Sequence, residues 1–189
     1  RDSKNASAVL LYFIKNQNII NKTKEKVIMN DIDKSIYAKK AIDLFKEGYN
    51  CSQAVFLAFA DKYDMEQKTA LKLSSSFGGG MGRLREVCGA VSGMFMVSGV
   101  LYGYDDSKDY DKKTKHYARI QQLAKEFETM NGSIVCRELL GLSTEKEGPL
   151  PDKRTDEYYK KRPCAELVGI AAAIMENYIV EHYVEVRVL

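Results

Sequence analysis

Apolar residues recur along this chain at helical spacing, and the polar and glycine-rich interruptions fall where helices would end. From Asp31 onward Ile32, Ile36, Ala41, Leu44 and Phe45 form one such stripe, and Gly48 closes it as a C-terminal cap would. Asn50 is the expected N-cap of a second helix, CSQAVFLAFADKY. A third helix runs through MEQKTALKLSSS and stops at Phe77 and the glycines after it. A fourth, apolar and glycine-rich, spans about Val87 to Leu101. Asp105, Asp106 and Ser107 are expected to open a long charged helix carrying Tyr117, Ile120, Leu123, Ala124 and Phe127, which Asn131 and Gly132 end. Ser133 caps the short segment IVCRELLG, and Gly141 ends it. A polar loop with Gly148, Pro149 and Pro151 leads to Pro163, a residue suited to a first helical turn, and CAELVGIAAAIMENYIVEHY is the last helix. The tail VEVRVL alternates as an extended segment would. No strand–turn–strand pattern appears elsewhere, so the expected class is all-α: a compact single-domain bundle of about six to seven helices.

Residues 1–30 are set apart, being rich in Asn, Lys and Ile and without Gly or Pro. They are expected to form a peripheral N-terminal arm, with the helical four-cysteine domain covering residues 31–189. The apolar run Ala8 to Ile14 lacks a following small-x-small cleavage site, so it does not predict a signal peptide. The uncharged stretch Val87 to Tyr104 approaches the length of a membrane span, but four glycines and two serines break it. A buried core helix is the expected outcome, with no membrane span and a cytoplasmic location. Net charge is +3, with acids and bases interleaved, which points to no nucleic-acid partner.

The chemistry rests on four isolated cysteines, Cys51, Cys88, Cys136 and Cys164. No two make CxxC, CxxCH or a zinc-ribbon knuckle, so c-type haem is excluded through the usual motif, and any common site must be built by the fold. Each cysteine falls in or beside the first turn of a predicted helix. Unpaired N–H groups and the positive end of the dipole favour a thiolate there, which is both nucleophile and metal ligand. Arg85, Arg137 and Arg162 stand near three of the four. All four are therefore candidate catalytic residues and candidate metal ligands, the metals suited to such a set being zinc or an iron–sulfur cluster.

Other candidates are less specific. Glu86, Glu138 and Glu166 lie two residues from a cysteine, where a carboxylate could take a thiol proton, although acids favour a first helical turn in any case. FGGGMGR lacks the spacing of a phosphate loop, and a tight connection with positive φ is expected of it. His116 and His182 have no partner spacing. The spacings Gly89-xxx-Gly93 and Gly99-xxx-Gly103 allow close helix packing, and Gly89 and Gly93 are also candidate cofactor-binding positions beside Cys88.

GYNCSQAV, GGGMGRLREVCGAVSG, CRELLG and RPCAELV, in that order, resemble the redox-active C_GCAxxG_C_C family. Its mark is four fixed cysteines, the second inside a CGAxxG motif, here Cys88-Gly89-Ala90-Val91-Ser92-Gly93. The resemblance spans about residues 33–180. It implies a small helical protein with redox or metal chemistry at its cysteines, and a redox partner protein or transporter component as its associate, since members are often encoded beside transporter genes. Related domains in multi-centre electron-transfer cytochromes keep an iron–sulfur reading open. The competing expectations are thiol–disulfide exchange or electron transfer, a non-enzymatic metal or iron–sulfur module, and an accessory of a transporter. A homodimer is the expected assembly.

Overall fold

A computed structural model describes residues 34–143 and 148–183. The N-terminal arm, the start of the first predicted stripe at Asp31 and Ile32, and the tail VEVRVL lie outside the described residues. The elements below belong to the unit Ser35–Leu189.

Eight α-helices are described, with no strand among the described residues: α1 (Ile36–Lys46), α2 (Cys51–Ala58), α3 (Gln67–Ser75), α4 (Gly89–Tyr102), α5 (Tyr110–Asn131), α6 (Cys136–Leu139), α7 (Asp156–Lys161) and α8 (Cys164–Glu181). The class is all-α, as the periodicity predicts. α1 starts at an N-cap serine, Ser35, whose side chain accepts from the Ala38 N–H and pairs with Glu176 of α8. Its buried stripe is Tyr37, Ala38, Ala41 and Phe45; Ile36, expected in that stripe, is exposed. α2 begins with a capping box: the Asn50 side chain accepts from the Gln53 N–H, and the Gln53 side chain accepts from the Asn50 N–H. α5 starts later than predicted, because Asp109 is the residue whose side chain accepts from an N–H of the first turn. α7 was hidden in what reads as a polar loop. It is six residues long, has no buried position, and is opened by a Thr155 cap.

α2, α4 and α8 form the centre, and their long runs of buried residues explain why no amphipathic stripe marks them. α1 packs on α8 and α2, α3 on α2, and α5 on α4 and α8. Phe45, Phe56, Phe59, Met94, Leu123, Phe127 and Met175 are the large side chains wholly out of water. No helix among the described residues is long and apolar enough to cross a membrane.

The α2–α4 seam depends on Gly93. A β-carbon there would come within 2.8 Å of both the Ser52 carbonyl oxygen and Val55 Cβ. Gly99 differs: a β-carbon there would meet nothing within 4 Å, so the Gly99-xxx-Gly103 spacing does not mark a packing contact at Gly99. The two alanine substitutions should therefore have opposite signs. Gly93→Ala should destabilise the fold by about 1–3 kcal/mol through overpacking. Gly99→Ala should stabilise it by about 0.5–1 kcal/mol through helix propensity. Urea denaturation followed by circular dichroism measures both, and a neutral Gly93→Ala would show that the seam can open freely.

Candidate functional site: a buried thiol cavity walled with arginine

Each cysteine occupies the helix start that the sequence assigns to it. Cys51, Cys136 and Cys164 are the first residues of α2, α6 and α8, and Cys88 is the N-cap of α4. The fold brings all four to one cavity of about 260 Å³. All are free thiols and all are buried, with 9% (Cys51), 5% (Cys88), 6% (Cys136) and 8% (Cys164) of their surface exposed.

Two local devices set the pairs. Cys51 and Cys164, from the first and last helices of the central layer, are joined by a side-chain hydrogen bond. Cys88 and Cys136 are aligned by an isolated antiparallel bridge between Val87 and Val135. Its hydrogen bonds run from the Cys88 N–H to the Ile134 carbonyl (2.8 Å) and from the Cys136 N–H to the Glu86 carbonyl (2.6 Å). Side chains alternate across extended backbone, so this register puts Cys88 and Cys136 on the same face of the bridge.

The glycine run forms a left-handed turn. Gly79, Gly80, Met81, Gly82 and Arg83 all have positive φ, as does Arg85. The expectation of a tight connection with positive φ is met, and non-glycine residues in this region carry strain of roughly 1–3 kcal/mol each. Gly80 sits so close to the site that a β-carbon would lie 2.6 Å from Cys136 Cβ. Gly89 lines the cavity, and a β-carbon on it would approach Cys51 Cβ to 3.1 Å and the Phe77 carbonyl oxygen to 2.9 Å. Gly93 lies one turn on, in the α2–α4 seam, and is not among the cavity-lining residues.

Arginine is the other half of the wall. Arg83, Arg85, Arg154 and Arg162 line the cavity with one carboxylate, Asp152. Asp152 lies 2.8 Å from Arg83, 3.1 Å from Arg162 and 3.9 Å from Arg85. Burial alone would raise the Asp152 carboxyl, but these guanidiniums outweigh it and hold it below the usual range. Arg85, itself buried, places Nη1 3.9 Å from Cys136 Sγ. Arg154 spreads over the rings of Phe45 and Tyr158, at 4.2 and 4.7 Å from their centroids.

The sequence reading expects a helix-start field to favour four thiolates, and three of the four depart from this. Burial pushes the Cys88 thiol up to about 12. It also raises Cys136, against the pull of Arg85. Cys51 is raised because it donates its proton to the hydrogen bond with Cys164, and burial adds to this. Cys164 alone is lowered, to about 7, by that same hydrogen bond and then by Arg162, Arg154 and Arg85, all working against burial. Loss of water therefore outweighs a helix terminus unless a donor and nearby cations reinforce it. The Cys51–Cys164 pair titrates as a unit, with the proton on Cys51 and the charge on Cys164.

Of the cations singled out from sequence, Arg85 and Arg162 reach the cavity, whereas Arg137 pairs with Glu86 at 2.9 Å. Glu138 is bound to Ser133. Glu86 and Glu138 are thus held by other partners, and neither these two nor Glu166 is among the cavity-lining residues. His182 stacks on Tyr178 and His116 meets Tyr104 edge-on, both away from the thiols. Arg83, Asp152, Arg154 and Tyr158 escaped sequence reasoning. The sequence signal for Asp152 and Arg154 is the charged DKR that follows two closely spaced prolines, and Arg83 closes the glycine run FGGGMGR. Among the described residues, no group of three or more His, Cys, Asp or Glu side chains is arranged to hold a metal ion.

Fold and site together define an all-helical protein with a buried cluster of four thiols. The chain belongs to the family described as putative redox-active protein (C_GCAxxG_C_C), whose pattern matches residues 49–178. No curated protein and no solved structure matches it.

The contrast among the thiols can be measured. The rate of Cys164 alkylation by iodoacetamide should rise through a midpoint near pH 7 and level off above it, because the thiolate is the reacting form. Cys88 should stay unmodified across the same range in the folded protein. Peptide mass spectrometry assigns the sites, and a Cys164 midpoint near that of a free thiol would contradict this assignment.

Proposed function

We propose that the protein is a thiol–disulfide oxidoreductase in which Cys164 is the attacking thiolate and Cys51 the resolving thiol. The observation that carries this reading is that Cys51 and Cys164 line one cavity with Arg85, Arg154 and Arg162, whose charges favour the thiolate of Cys164. Cys164 Sγ attacks one sulfur of a substrate disulfide, forming a mixed disulfide and expelling the first thiolate. Cys51 gives its proton to that leaving group, and its sulfur then attacks Cys164 Sγ. A Cys51–Cys164 bond forms and the second substrate thiolate leaves. Two electrons pass from the protein pair to the substrate, and an external dithiol restores the reduced state. Cys88 and Cys136, on one face of the Val87–Val135 bridge and on the wall of the same cavity, are placed to act as a second dithiol.

The neutral probe bis(hydroxyethyl) disulfide tests the scheme. Reduced protein should acquire a Cys51–Cys164 disulfide, detected by peptide mapping. Cys164→Ser should abolish the reaction, and Cys51→Ser should stop it at a mixed disulfide on Cys164. A protein whose thiols stay reduced under excess probe would overturn the proposal. So would anaerobic isolation with stoichiometric iron and acid-labile sulfide, which would assign the four cysteines to a cluster.

A further inference from the structure

The cavity is charged as well as reactive. Among the described residues its wall holds four guanidinium groups and one carboxylate. Asp152 engages Arg83, Arg85 and Arg162. Among the described residues Arg154 has no carboxylate partner of this kind. Its Nη2 reaches only the Tyr49 carbonyl, at 3.4 Å, and its Nη1 is buried without any hydrogen-bond partner. A buried guanidinium N–H left unpaired costs free energy that an incoming acceptor would recover. The aromatic faces of Phe45 and Tyr158 hold the group in place, so little ordering is required when that acceptor arrives.

Size limits the ligand further. The four sulfurs are buried, so the reacting bond must come to them through the cavity. About 260 Å³ is below the range of roughly 300–1,000 Å³ typical of drug-sized ligands. A cavity of that volume suits a small molecule.

We propose that the substrate is a low-molecular-weight disulfide carrying carboxylate groups, one of which is bound by Arg154 with Arg162 beside it while the S–S bond lies against Cys164. The assignment rests on the exchange reading above and adds the class of molecule exchanged. In water a thiolate reacts more slowly with an anionic disulfide than with a cationic one, because like charges repel. The cavity should reverse that order.

Three probes of similar length separate the outcomes: dithiodiglycolate (anionic), bis(hydroxyethyl) disulfide (neutral) and cystamine (cationic). Rates of Cys51–Cys164 disulfide formation are measured with each and divided by the rates of a small free thiol under the same conditions. The anionic probe should be favoured over the neutral one by roughly tenfold or more, and the cationic probe should be the slowest. Arg154→Gln should lower the anionic-to-neutral ratio, and Arg162→Gln should lower it less. Added salt should shrink the ratio in the unaltered protein, a readout that survives even if a variant fails to fold. Equal normalised rates, or a preference for cystamine, would overturn the substrate class and leave the exchange chemistry standing. Failure of all three probes to oxidise the pair would remove both.

Discussion

Four thiols held out of water beside a wall of guanidinium groups are the constraint around which this site is organised. Cys164 is 8% exposed, and burial alone would keep it a neutral thiol, as it does Cys88. The hydrogen bond with Cys51 and the charges of Arg162, Arg154 and Arg85 work against that burial and favour the thiolate. Those guanidiniums repel one another in turn, and Asp152 is the residue that lets Arg83, Arg85 and Arg162 share one wall. Removing any one of these parts strands another. A Cys164 thiolate without its arginines is an unpaired buried charge.

Backbone geometry fixes where the parts stand. The left-handed run from Gly79 to Arg83 carries the chain sharply round the cavity and delivers Arg85 to Cys136, and Gly80 leaves room for that cysteine. Met81, Arg83 and Arg85 adopt positive φ without being glycine, which concentrates strain beside the reactive sulfurs. On the far wall the segment after Gly148 is tied down by Arg83, whose Nε donates to the Gly148 carbonyl at 3.0 Å. The glycine turn and the proline-rich loop, some 65 positions apart in sequence, thus form one electrostatic unit.

This explains what the sequence discloses and what it hides. Local chemistry was legible: the Asn50 cap, the Gly132 stop and the four cysteines at helix starts all follow from residues within a turn of each feature. The family pattern was legible for the same reason, since its motifs are short and carry the cysteines. The arginine wall was not. Arg154 and Arg83 matter only because α8, α1 and the glycine turn bring them together, and no periodicity announces that. α7 escaped because a helix with no buried position leaves no apolar stripe. Gly99 was misread because glycine spacing signals close packing only when another helix lies opposite. The thiolate expectation failed at three cysteines because a helix terminus is visible in sequence and the depth of burial is not.

The absence of CxxC then acquires a physical meaning. In a CxxC pair one short segment sets the distance between sulfurs, and exchange can proceed with little reference to the rest of the fold. Here the sulfurs that share a proton belong to α2 and α8, the helices packed at the centre of the core, and 113 positions of chain separate them. Joining them covalently would close a loop through most of the domain, whereas the hydrogen bond leaves that loop open. In the proposed exchange the redox state of the pair is thereby linked to the packing of the whole bundle. The α2–α4 seam at Gly93, where a β-carbon would come within 2.8 Å of the Ser52 carbonyl oxygen, is part of the packing that holds α2 in place. A site built this way has sulfurs shielded from bulky molecules. In exchange it needs the entire fold to hold two atoms in place.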